Sequence, residues 1–183
     1  MARLTFTGST LLIPLLAFGC AHTYRVEGFD ADRANLRNSQ NKKIAVVFAE
    51  PEFKRRYEAS VEGHSFVFED LKAFYEQAYS SALAGSVASV EYFTAEPKGD
   101  YDVYLYPSLS LNMRSRFLAK LCSVEYGLIA RDRSKNEIAK RSEGVEHPFA
   151  GMTFGEPKTA CKIAMLKSFA PVTYDVFKRI DGR

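Results

Sequence analysis

Two stretches of strict alternation, "YDVYLYPSLSLN" (101–112) and "KLCSVEYGLIAR" (120–131), constrain the fold more than any other feature of the chain. In the first, Val103, Leu105, Leu109 and Leu111 share one face, while Tyr104, Tyr106, Ser108 and Ser110 share the other. In the second, Cys122, Val124, Tyr126, Leu128 and Ala130 fall together. A period of two marks a strand with one face on a core, so both stretches are expected in a sheet. The turn "DRSKN" then leads the second stretch into "EIAKRSEGVEH", which makes a long hairpin. Pro107 lacks an amide donor, which predicts an edge position or a bulge.

Around these strands the pattern changes. In "KKIAVVFAE" every residue from Ile44 to Ala49 is apolar, as in a strand buried on both faces, and Pro51 ends it. In "EDLKAFYEQAYSSALAG", Leu71, Phe74, Tyr75, Ala78, Ala82 and Leu83 recur at helical spacing, with Gly85 as the stop. "SVASVEYF" reads as a short strand. "EPKTACKIAMLKSFAPVTYDVFKRI" is predicted as a final helix, with Leu166, Phe169, Val172, Val176, Phe177 and Ile180 on one face and Pro171 inside it. Residues 53–68 are ambiguous: Phe53 and Tyr57 have helical spacing, whereas Phe66 and Phe68 alternate. The expected fold is α+β: one mixed or antiparallel sheet of about five strands, with two main helices packed on one face. It occupies residues 42–183 as a single domain.

The beginning of the chain obeys other rules. No Lys, Arg, Asp or Glu occurs between Arg3 and Arg25, yet the continuous apolar run, Leu11 to Phe18, is short of the roughly 20 residues that span hydrocarbon. A basic start, a short apolar core and a small residue at its end read as a secretory signal over residues 1–19. Leu16-Ala17-Phe18-Gly19-Cys20 resembles the lipobox of bacterial lipoproteins, although Ala17 stands where leucine is usual and Phe18 is bulky. That resemblance implies cleavage before Cys20 and acylation of its thiol and new amino terminus, palmitate included. Ala21 in the next position resembles the pattern of lipoproteins sent to the outer membrane. An ordinary signal cut near Gly19 or Ala21 is the alternative. Residues 20–41, polar and without a period, are expected to form the lipidated cysteine and a flexible tether.

With Cys20 set aside, Cys122 and Cys161 remain as a pair in an oxidising compartment. Cys122 lies on the apolar face of its strand and Cys161 near the start of the last helix. A disulfide between them is expected, the alternative being two buried thiols.

Signals for catalysis are weak. The three histidines, His22, His64 and His147, have no i,i+4 partner, and no Cys-x-x-Cys occurs. "GHSF" sets His64 beside Ser65, but no Gly-x-Ser-x-Gly surrounds them, and a turn feeding the first helix is expected there. "GMTFGEPKT" departs from a phosphate loop because Glu156 and Pro157 separate Gly155 from Lys158. A formal charge of +3 on 183 residues, part of it lost with the signal, excludes a nucleic-acid groove as the expectation. Tyr104 and Tyr106 form either a second buried face or an exposed partner surface; Phe53 and Tyr57, flanking "KRR" at 54–56, join them as candidates.

The order of Cys20, "KKIAVVF", a helix, "YDVYLYPSLSL", a long hairpin and a final helix resembles small outer-membrane lipoproteins of the YajG, LptE and PelC kind. The resemblance implies a non-catalytic accessory subunit at the periplasmic face of the outer membrane. It would be held there by acyl chains and would bind an envelope protein complex, its own copies or polysaccharide, with no cofactor, no metal and no nucleic acid. The alternatives are a small envelope hydrolase using His64 and Ser65, and an unanchored secreted ligand-binding module.

Overall fold

The long alternating stretches become the longest strands of the protein. The computed structural model describes residues 21–27, 31–34, 36–117, 119–151 and 155–182. Cys20 and the expected signal segment, residues 1–19, lie outside the described residues. In chain order the elements are β1 (Ala21–Arg25), β2 (Lys43–Val47), β3 (Tyr57–Val61), β4 (His64–Glu69), α1 (Leu71–Leu83), β5 (Ser89–Phe93), β6 (Val103–Arg116), β7 (Ala119–Asp132), β8 (Glu137–Phe149) and α2 (Glu156–Asp181).

These strands form two sheets rather than the single sheet expected. A five-stranded sheet runs β5-β2-β6-β7-β8, and a three-stranded sheet runs β1-β4-β3. The larger sheet is mixed: β2 is parallel to β5 and β6, while β6, β7 and β8 form an antiparallel meander. The smaller sheet fills space left because β2 pairs with β6 only from Val103 to Leu105. Beyond that point the chain returns beside β6, where the Leu109 amide donates to the Glu52 carbonyl at 2.9 Å and the Tyr57 hydroxyl donates to the Leu109 carbonyl at 2.9 Å. Because Leu109 points its amide away from β7, Pro107, two residues earlier, directs its missing donor to the same side, past the end of β2. Pro107 is thus tolerated inside a central strand because its flank there is locally an edge.

Two expectations about local structure need correction. Residues 21–25, expected in a flexible tether, form β1, which pairs in parallel with β4. β1 and the chain after it are held down. Tyr24, Val26 and Leu36 are buried, the Ala34 amide donates to the Ala82 carbonyl of α1 at 2.7 Å, and the Arg37 and Asn38 amides donate to the Asp181 carboxylate of α2. "GHSF", expected as a turn, opens β4; the turn lies just before it, at Glu62 and Gly63, both with positive φ (49° and 77°). Two successive left-handed residues make the tight hairpin turn whose twist matches the flanking strands.

Both helices cover one face of the larger sheet, as the apolar stripes require. Tyr75 of α1 stacks on Tyr126 of β7 with ring centres 5.1 Å apart, and Phe169 of α2 closes on the same Tyr126 at 5.4 Å. Among the described residues no helix is long and apolar enough to cross a membrane.

Candidate functional site

A cleft of about 740 Å³ opens where the parallel strands β2 and β5 end and α1 begins. Carboxyl ends of parallel strands leave such hollows because the chain must turn away into loops. Phe48 and Phe53 lie under it, packed edge to face at 4.8 Å. Glu50, Arg55, Asp70 and Lys72 provide a rim of both charges. Lys72 pairs with Glu76 one helical turn on, and its ammonium lies 5.8 Å from the centre of the Phe48 ring. Asp70, left-handed at φ 60°, makes no side-chain cap to α1; its carboxylate instead meets the Arg25 guanidinium of β1 at 2.7 Å. No His, Cys or Ser lines the cleft among the described residues. It offers charge and apolar area for binding, and Thr94 is the one hydroxyl side chain on its lining among the described residues.

The predicted partner surface is largely interior. Phe53 is 2% exposed and Tyr57 is 6% exposed. Phe53 packs edge-on to Tyr75, and the Tyr57 hydroxyl accepts the Lys54 amide while donating to the Leu109 carbonyl. Burial, the larger effect, pushes the Tyr57 phenol up to about 12. The "KRR" residues between them do face solvent. Tyr104 is 3% exposed because the loop between β5 and β6 folds across the outer face of the sheet. Its hydroxyl donates to the Gly99 carbonyl at 2.9 Å, and Tyr101 packs edge-on to its ring. Tyr106, half-buried, donates its hydroxyl to both oxygens of Glu96 at 2.9 and 2.7 Å, and the Arg131 guanidinium sits 5.1 Å from its ring centre. Against burial, hydrogen bonds from Lys135 and Tyr106 hold the Glu96 carboxyl below its ordinary value. Tyr104 and Tyr106 therefore serve a loop-covered outer cluster, and only Tyr106 retains a solvent-facing edge.

His64 and Ser65 do not form a catalytic pair. Successive residues of a strand face opposite sides, and β4 is the central strand of its sheet, with Ser65 in register with Ala21 on one flank and Ser60 on the other. The His64 ring instead stacks near those of His22 and Phe66, at 5.8 and 6.3 Å. His147 sits on β8 opposite Cys122, in the other sheet. Among the described residues no three His, Cys, Asp or Glu side chains gather as a metal site would need.

Cys122 and Cys161 are joined in a disulfide, with Cα atoms 5.2 Å apart across a separation of 39 residues. It fastens the start of α2 to the middle strand of the meander. One feature escaped the pattern reading: the turn between β6 and β7 carries Phe117, which is 96% exposed. Its only sequence signal is an aromatic residue where a hairpin turn ordinarily takes Gly or Asn.

No protein-family model matches the chain, and no curated protein matches it. Solved structures do. The protein XCC0632 of Xanthomonas campestris, from the family DUF330, is 14% identical and superposes with a TM-score of 0.55 over 87% of this chain and 96% of its own. Lipoprotein GNA1162 of Neisseria meningitidis is 13% identical, with a TM-score of 0.39 over 78% of this chain and 99% of its own. A minor lipoprotein of Acinetobacter baumannii is likewise 13% identical, with a TM-score of 0.38 over 77% and 93%. What this chain shares with the Xanthomonas protein is its fold.

Proposed function

We propose that the protein is a non-catalytic, lipid-anchored subunit of the cell envelope. In this reading Cys20 is acylated, the domain sits at the periplasmic face of the outer membrane, and it assists an assembly or export complex by binding protein or glycan. Lipoproteins of the YajG, LptE and PelC kind are the functional class it fits. The observation that carries the reading is the lipobox-like run Leu16–Cys20, followed at the next residue, Ala21, by the first strand of the folded domain. Two or more acyl chains hold a protein stably where one does not. A domain fixed so close to its anchor gains effective concentration for partners in the same membrane. The mixed-charge cleft beside Phe48 gives a partner both charge and apolar area to bind. A Ser65–His64 hydrolase is disfavoured by the opposite facing of those two side chains.

The test is the intact mass of the protein purified from an outer-membrane fraction. The expected species begins at Cys20, carries acyl groups, and gains one hydrogen per sulfur of Cys122 and Cys161 on reduction. An unmodified chain cut elsewhere would sink the anchored reading and leave the secreted module.

A further inference from the structure

The most exposed large apolar side chain among the described residues stands at the end of the molecule where the chain arrives from Cys20. Phe117 occupies the turn of the β6–β7 hairpin in a left-handed backbone conformation, φ 53°, with 96% of its surface in solvent. A bulky side chain is rare in that conformation, and full exposure gives it no compensating contact within the domain. Arg116 beside it is exposed and makes no ion pair among the described residues, while Arg114 and Lys120 on the same tip pair with Glu146 and Glu62.

The link to the anchor runs through named bonds. Glu62, in the β3–β4 turn, accepts from the Ser115 hydroxyl at 2.9 Å and meets the Lys120 ammonium at 3.2 Å, two and three residues from Phe117. Three residues after Glu62, Ser65 is paired with Ala21, and β1 runs away from that end parallel to β4. Summing these steps places Ala21 within about 25 Å of the hairpin tip. The twenty preceding residues, Cys20 among them, therefore join the domain at the end that carries Phe117.

We propose that the β6–β7 hairpin tip docks into the phospholipid leaflet that holds the Cys20 acyl chains, with Phe117 inserted at the acyl–headgroup boundary and Arg116 meeting anionic headgroups. This rests on the lipid-anchored reading above. Segments that bind at such a boundary bury apolar side chains, Phe among them, just below the headgroups, and a neighbouring cation is attracted to the negative surface. The hairpin then sets the domain upright as a second contact beside the acyl chains.

The chain contains no tryptophan, so Phe117→Trp introduces a single reporter. Tyr174→Trp, at a side chain 65% exposed on the distal half of α2, is the control. Both variants, purified as the acylated full protein, are placed in vesicles of phosphatidylethanolamine and phosphatidylglycerol with and without brominated acyl chains. Indole emission from the Phe117→Trp variant is expected to shift blue and to be quenched several-fold more than that from the Tyr174→Trp control. Equal, solvent-like emission from both variants in a protein whose mass shows acylation overturns the docking and leaves the anchor standing. A mature chain without acyl groups overturns the anchored reading and the docking with it.

Discussion

At the scale of single residues, the three tyrosines of the core that are wholly buried, Tyr75, Tyr79 and Tyr126, have different hydrogen-bonding fates. Tyr79 and Tyr126, both wholly buried, bond hydroxyl to hydroxyl, whereas the Tyr75 hydroxyl, equally buried, has no hydrogen-bond partner among the described residues. Burial raises the pKa of all three phenols, so each is neutral at physiological pH. Stranding a buried polar group costs about 1–3 kcal/mol, while removing both members of a pair is close to neutral. Tyr126→Phe should therefore lower unfolding stability in urea by about that amount, and Tyr79→Phe with Tyr126→Phe should recover most of it. Tyr75→Phe, which removes a hydroxyl already without a partner, should be neutral or stabilising by up to about 1 kcal/mol. Equal losses for Tyr75→Phe and Tyr126→Phe would show that the Tyr75 hydroxyl has a polar role in the core. The disulfide acts on a larger scale of energy. Its 39-residue span corresponds to about 4 kcal/mol in the chain-entropy model. Cys122→Ala with Cys161→Ala should lower the melting temperature by roughly 8–16 °C, read by circular dichroism. An unchanged melt would mean that the bond adds nothing to stability.

At the scale of elements, legibility followed the locality of the signal. The meander, both helices and the disulfide partners were readable because each rests on a period or on side chains that lie on facing apolar surfaces. β1 was not, since "AHTYR" buries little beyond Tyr24 and exists as a strand through pairing with β4, more than forty residues away. The β3–β4 hairpin was hidden because its turn uses Glu62-Gly63 in place of Asn-Gly, and because Phe53 and Tyr57 happen to lie four residues apart. Of the candidate partner residues, exposure was not readable at all: whether Tyr104 faces water depends on where the 94–102 loop settles. The same long-range logic governs the segment after β1. Asp181 ends α2, where the helix dipole disfavours a carboxylate. It accepts instead from the Arg37 and Asn38 amides and the Ser39 hydroxyl. Some desolvation works to raise its pKa, but those donors and Lys42 prevail and hold it below the ordinary value. A carboxyl depressed in the folded state contributes above the unfolded value, and that contribution fades as pH falls through the folded one. Hydrogen exchange at Arg37 and Asn38, corrected for intrinsic rates, should therefore lose protection below the ordinary carboxylate range. In Asp181→Asn it should be low already at neutral pH. Protection unaffected by either change would detach Asp181 from the anchoring of this segment.

At the scale of the whole molecule, the two sheets give the domain a long axis with distinct ends. β6 rises for 14 residues, about 45 Å, from the end where β2 begins to the tip at Phe117. α2 runs the other way, from the tip end, where Cys161 is fastened to Cys122, to the Asp181 cluster at the far end. The cleft at the close of β2 lies near the level of Pro107, about 30 Å from the tip. In the proposed docking, the acyl chains on Cys20 and the Phe117 side chain lie at one end, so that the domain would stand on the membrane with the cleft above it. This arrangement depends on the short connection between Cys20 and β1. Ten Gly/Ser residues inserted between Cys20 and Ala21 would span roughly 16–19 Å as a flexible coil, enough to let the domain tumble above the headgroups. Acylation and melting temperature should stay unchanged, because the insertion precedes the first strand. In the Phe117→Trp background, quenching by brominated lipid should fall toward the level of the Tyr174→Trp control, since the entropy of the added chain opposes a single weak apolar contact. Undiminished quenching would instead show that the hairpin tip holds to the bilayer by itself, with the short connection to Cys20 playing no part in orienting the domain.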